Sequence, residues 1–167
     1  MKRNPGFSLI EMMIALVVLA VLITIAVPGF RSFILNNRLT TQANEFITAL
    51  QVARSEAIKR GGVVVRITAT APVAANEWGG GWSIWPDTDD DGVQDAGEDT
   101  IRTAEAFAGG NTLDSAGNIT EFVYRGDGSI SSADTFTLCD SRTGETGRRI
   151  IVTASGRSAL NPEFTCP

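Results

Sequence analysis

The sequence predicts an α+β fold in which one long amino-terminal helix packs on an antiparallel β-sheet domain. Three observations predict it. No charged side chain occurs from Met12 to Phe30, a run long enough to cross a bilayer as a helix. Beyond it, apolar residues recur at spacings of three and four and draw one stripe along a helix. After Gly62 the pattern changes to short β-branched or aromatic segments, parted by Gly-, Asp- and Ser-rich turns, with no second helical rhythm.

The helix comes first. Leu35, Leu39, Ala43, Phe46, Leu50, Ala53 and Ala57 form the stripe, while Arg38, Gln42, Glu45, Arg54, Glu56 and Lys59 occupy the other faces. Gly61-Gly62 marks the carboxyl end. The expected element runs from about Phe7 to about Arg60, half in a membrane and half on a sheet, and is ~80 Å long at 1.5 Å per residue. Pro28 removes a backbone donor and should bend or loosen it. Strands are expected at 63–68, 82–85, 100–107, 119–125, 135–139 and 148–154, with hairpin loops at Gly126-Asp127-Gly128 and 143–147. Such spacing reads as an antiparallel meander whose apolar face the helix stripe covers. Trp82 and Trp85 would point to opposite faces of their strand, one into the core and the other into the core or a subunit contact.

Composition narrows the chemistry. The chain carries 14 basic and 19 acidic residues and no histidine, which excludes imidazole acid–base catalysis, Ser-His or Cys-His nucleophiles and His-ligated zinc. No motif calls for catalysis, and the chain is read as not an enzyme. Seven of the acids lie within Asp87–Asp99, so the acidity is local.

The opening residues say most about use. Lys2-Arg3-Asn4-Pro5-Gly6 is a short basic leader ending in glycine; Phe7-Ser8-Leu9-Ile10 begins the apolar run, and Glu11 stands alone within it. A carboxylate at the edge of a membrane span is costly and normally has a partner. An amine made by cutting between Gly6 and Phe7 would serve, with Glu11 of one subunit neutralising the amino terminus of a neighbour. A secretory signal has a shorter apolar core and a later small-residue cleavage site, and neither it nor a plain anchor needs Glu11.

Gly6-Phe7-Ser8-Leu9-Ile10-Glu11, followed by the apolar helix, resembles the class III signal of type IV pilins and type II secretion pseudopilins. The resemblance implies a type IV pilin-like fold and cleavage after Gly6 by a prepilin peptidase, which methylates Phe7. It implies a role for Glu11 in filament assembly, and Pro28 stands where many such proteins carry a helix-kinking proline. It divides the chain into a leader at 1–6, a transmembrane part at 7–30 and a globular domain at 31–167, helical to about residue 60. Leu50-Gln51-Val52-Ala53-Arg54-Ser55-Glu56-Ala57, Gly81-Trp82 and Gly156-Arg157 are similar to the GspH/FimT group of minor pilins and pseudopilins. The implied protein is a minor pilin of a type IV pilus or its tip or priming complex. The alternatives are an H-type minor pseudopilin of type II secretion and a DNA-binding minor pilin of natural transformation. Its partners would be other pilins or pseudopilins, the peptidase and the bacterial inner membrane, with the domain in the periplasm. In that compartment Cys139 and Cys166 suggest a disulfide, two buried free thiols being the other arrangement.

Two further constellations remain. Asp87, Asp89, Asp91, Gly92, Asp95 and Glu98 occupy positions 1, 3, 5, 6, 9 and 12 of an EF-hand-type calcium loop, with the Val93 carbonyl at position 7. The flanks read as strands rather than helices, so a solvated acidic hairpin tip is the competing reading. No cofactor is required, and calcium is the ion this segment suggests. Some FimT-like pilins bind DNA through a terminal Gly-Arg-x-Arg; here Gly156-Arg157-Ser158 matches but Ala159 replaces the last arginine. With Arg142, Arg148 and Arg149 offset by Asp140, Glu145 and Glu163, Arg157 reads better as a turn residue than as a phosphate contact.

Overall fold

The computed structural model describes residues 7–167, so Gly6 and the leader lie outside the described residues. Among these described residues one α-helix, α1 (Leu9–Arg60), is followed by eight strands: β1 (Val64–Ala69), β2 (Trp82–Asp87), β3 (Arg102–Ala104), β4 (Thr112–Ser115), β5 (Glu121–Tyr124), β6 (Asp134–Cys139), β7 (Thr146–Val152) and β8 (Ser158–Thr165). The chain divides into two units, residues 7–37 and Arg38–Pro167.

The first unit is helical from Leu9 and continues through Pro28. Ser8 caps it: its backbone N–H and Oγ donate to Glu11 Oε2, both at 3.0 Å, while the Glu11 N–H donates back to Ser8 Oγ at 3.3 Å. This reciprocal box satisfies helix-end donors that would otherwise lack partners. Leu9, Leu16, Leu22 and Phe30 are all exposed, as expected of a surface meant for lipid or neighbouring helices. α1 is long and apolar enough to cross a membrane by length and composition.

In the second unit the expected stripe is buried. Leu39, Ala43, Phe46, Leu50, Ala53 and Ala57 join one core with strands of two sheets. Phe46 is the hub, with its ring 5.3 Å from Trp78, 5.1 Å from Trp82 on β2 and 5.0 Å from Phe136 on β6. Edge-to-face packing of this kind adds to the gain from burying each ring. Gln42, expected on a polar face, is buried instead: its Nε2 donates to the Ala108 carbonyl and its Oε1 accepts from Asn111 Nδ2.

The strands do not form one meander. Two four-stranded antiparallel sheets are ordered β3-β2-β1-β5 and β4-β6-β7-β8. The chain lays down β1 to β3, places β4 in the other sheet, then returns to pair β5 with β1. β4 and β8 were not expected, and β3 is shorter than the predicted 100–107. Each of these three is an edge strand, where one flank is unpaired and polar residues are tolerated. Cys139 and Cys166 are joined in a disulfide that closes a 27-residue separation.

Candidate assembly segment and acidic loop

The first candidate site is the helix start. Phe7 is exposed, and Glu11 lies in the first turn of α1, where the helix dipole favours a negative charge. Its hydrogen bonds with Ser8 hold the carboxylate against the first turn of α1.

The second is the β2–β3 connection. Period-two alternation sends Val65 and Ile67 of β1, and Trp82 and Ile84 of β2, into the core. The opposite face therefore carries Arg66, Trp85, Asp87 and Glu121. Trp85 is buried there rather than offered to a subunit, and its Nε1 donates to Thr68 Oγ1. The guanidinium of Arg66 sits 6.0 Å from the Trp85 ring centroid. Arg66 Nε donates to Asp87 Oδ2 at 2.5 Å, Nη1 to Glu121 at 2.5 Å and Nη2 to Asp90 at 3.0 Å. Sequence reasoning missed this organiser. The available signal was a single charge in the β-branched run Val63-Val64-Val65-Arg66-Ile67.

These pairs set the ionisation of the loop. Burial alone would push Asp87 up, but the Arg66 and Gly92 hydrogen bonds outweigh it and hold the carboxyl below its usual range. Burial likewise works against the charge of Arg66, and Asp87 and Glu121 reverse that. Glu98 is held low by the backbone N–H groups of Thr88 and Asp95, which donate to its two oxygens at 2.6 and 3.1 Å. Asp89 goes the other way, raised by lost hydration and then by the charge of Asp91.

Of the expected calcium ligands, Asp87, Asp89 and Asp91 each bring a carboxylate oxygen within 4.8 Å of the other two. Asp95 and Glu98 are not part of that triplet. Glu98 is buried and engaged with backbone, while Asp95 and Val93 are exposed.

The arginines of the carboxyl-terminal region do not converge. Arg142 pairs with Asp140 at 2.6 Å, Arg148 donates to the Gly147 carbonyl and Thr40, and Arg149 lies over the Phe164 ring. Arg157 is exposed in the β7–β8 turn. Gly156 beside it has a φ of 74° and packs where a Cβ would strike the Gly128 carbonyl and Tyr124, so its glycine is explained by the turn alone.

A helix start of this kind ahead of a helix-and-sheet core defines a type IV pilin-like protein. Residues 1–27 match the prokaryotic N-terminal methylation motif, and residues 42–156 match the family described as type II transport protein GspH. The chain belongs to that GspH family. Its fold is similar to the crystal structure of the type IV minor pilin FimU from Pseudomonas aeruginosa strain PAO1. The TM-score is 0.64 at 26% identity, covering 81% of this chain and 96% of that one. A second crystal form of FimU aligns with a TM-score of 0.61 and covers 96% of that chain. The chain is also similar to fimbrial proteins of Pseudomonas aeruginosa, 34% identical over 65 residues; the match covers 39% of this chain and 42% of the relative.

Proposed function

We propose that this chain is a membrane-anchored minor pilin with a structural role in a type IV pilus, in its filament or its tip or priming complex. The observation that carries the reading is the union of an amino-terminal methylation motif with a globular unit alignable to nearly all of the FimU chain. On this reading a prepilin peptidase cuts after Gly6 and methylates Phe7. The apolar part of α1 holds the protein in the inner membrane until assembly, and the globular unit faces the periplasm. Glu11 then neutralises the amino terminus of a neighbouring subunit, and no chemistry is asked of the globular unit. The commitment of Arg142, Arg148 and Arg149 to local partners argues against a DNA-uptake role built on Arg157.

The family description also names type II transport, so an H-type minor pseudopilin is the second reading. One experiment addresses both. The chain and its Glu11→Ala variant are crosslinked in native membranes and captured, and the attached subunits and the intact mass are read. The expected result is a chain starting at methylated Phe7, attached to the major pilin of a pilus. Glu11→Ala should be inserted and cleaved normally but lose most of that attachment, since a counter-charge in a low-dielectric setting is removed. Attachment to a major pseudopilin instead would select the second reading. A native amino terminus near Val27 would overturn both.

A further inference from the structure

We propose that the β2–β3 loop is a calcium site built on Asp87, Asp89 and Asp91. The three carboxylates converge with an oxygen each inside 4.8 Å. Oxygens around calcium at 2.3–2.6 Å stand at most about 5 Å apart. The triplet is close enough for one such ion to bridge.

The buried end of the loop supplies an independent observation. The Asp87 side chain is fully buried, and its Oδ2 accepts from Arg66 Nε at 2.5 Å and from the Gly92 N–H at 3.0 Å. Its Oδ1 is also buried but receives no hydrogen bond. A carboxylate oxygen withdrawn from water without a donor is an acceptor awaiting a cation. Asp87 Oδ2 ties down the glycine turn while Oδ1 has no donor, which suits position 1 of such a loop.

The rest of the loop is shaped to match. Gly92 takes a φ of 83°, and Asp91 Oδ1 accepts the Val93 N–H at 2.7 Å, which turns the chain at positions 5 to 7. The Val93 carbonyl and Asp95 are available for the remaining coordination, directly or through water. Glu98 pins the loop from within, its two oxygens accepting the Thr88 and Asp95 N–H groups. Among the described residues, Arg66 compensates Asp87 and Asp90, and no ion pair reaches Asp89 or Asp91. The uncompensated charge therefore lies where the ion would sit. A bound ion would tie the end of β2 to the loop that follows it.

The test uses the full chain in detergent micelles, with calcium chloride or magnesium chloride as the probe after chelation. Calcium at 10 mM should raise the melting temperature by about 3–10 °C, as a ligand that binds only the folded loop must. Asp89→Asn with Asp91→Asn alters two exposed side chains, so this variant should melt normally in chelator yet lose the calcium-dependent rise. No rise in the native chain, or an undiminished rise in the double variant, overturns the site; an equal rise with magnesium overturns its assignment to calcium.

Discussion

Residues 9–37 and 38–60 belong to the same helix, yet they meet different surroundings, and two phenylalanines make the contrast concrete. Phe30 is 66% exposed; Phe46, further along α1, is 0% exposed and contacts three aromatic rings. In the first segment apolar residues cover every face, so no single packed partner could cover them all. In the second they are confined to a stripe, and two sheets cover it. Apolar content alone therefore does not decide what a helix packs against. Its angular distribution does, since an all-round surface suits lipid or a filament of like helices, and a stripe suits one core.

The largest expected effect tests this directly. Phe46→Ala should destabilise the globular unit by about 3–5 kcal/mol, because the emptied space borders Trp78, Trp82 and Phe136 and cannot collapse freely. Phe30→Ala should change the same transition by less than about 0.5 kcal/mol. Tryptophan fluorescence during denaturation in micelles reads both, since every tryptophan lies beyond residue 37. Equal effects would break the comparison.

A second variant sharpens it. The Cys139–Cys166 bridge ties the residue after β8 to the end of β6 across β7. Cys166→Ser should cost about 3–4 kcal/mol on the chain-entropy estimate for such a loop. On heating in micelles, this variant should lose the helical signal of residues 38–60 along with the sheets. Residues 9–37 should remain helical, because their backbone hydrogen bonds are sheltered by detergent. Loss of all helical ellipticity in one step would contradict two separately stabilised regions.

What was legible in the sequence divides along physical lines. The helix and its end at Arg60 were readable because periodicity and the Gly61-Gly62 stop are local signals. β1, β2, β6 and β7 were readable because each holds a short run rich in β-branched or aromatic residues. β4 and β8 were not, since Thr112-Leu113-Asp114-Ser115 and the Pro162-bearing last strand are polar edges whose pairing depends on distant partners. The two-sheet order was hidden for the same reason: β1–β5 pairing joins residues more than fifty apart. In the acidic loop, the register of carboxylates was local and visible. Arg66, which pairs with it, belongs to β1 and could be linked to Asp87 only once the strands were paired.

The smallest effects concern pH, and they separate the regions cleanly because residues 7–37 contain only Glu11 and Arg31 as charged side chains. In the globular unit two carboxyls should act with opposite sign. Burial alone would raise Asp140, but hydrogen bonds from Arg142, then the charges of Arg142 and Arg38, hold its carboxyl below the usual range. Its folded value thus lies beneath its unfolded one, and the stability it contributes is present above the unfolded value, about 3.9. That stability is lost as pH falls through the folded value, where the unfolded chain binds the proton more readily. Asp114 is raised, by burial first and then by the charge and hydrogen bond of Glu77, so its ionisation opposes folding and acidification relieves it. Asp140→Asn should therefore lower the melting temperature at pH 7 and flatten the loss between pH 4 and pH 2, by an amount on the order of 1 kcal/mol. Asp114→Asn should raise the melting temperature slightly at pH 7 and leave it unchanged at low pH. Neither substitution should alter the helicity of the apolar segment in micelles. Melting curves of both variants from pH 7 down to pH 2 check the signs, and a shift of the same sign for both would refute the opposed environments assigned to them.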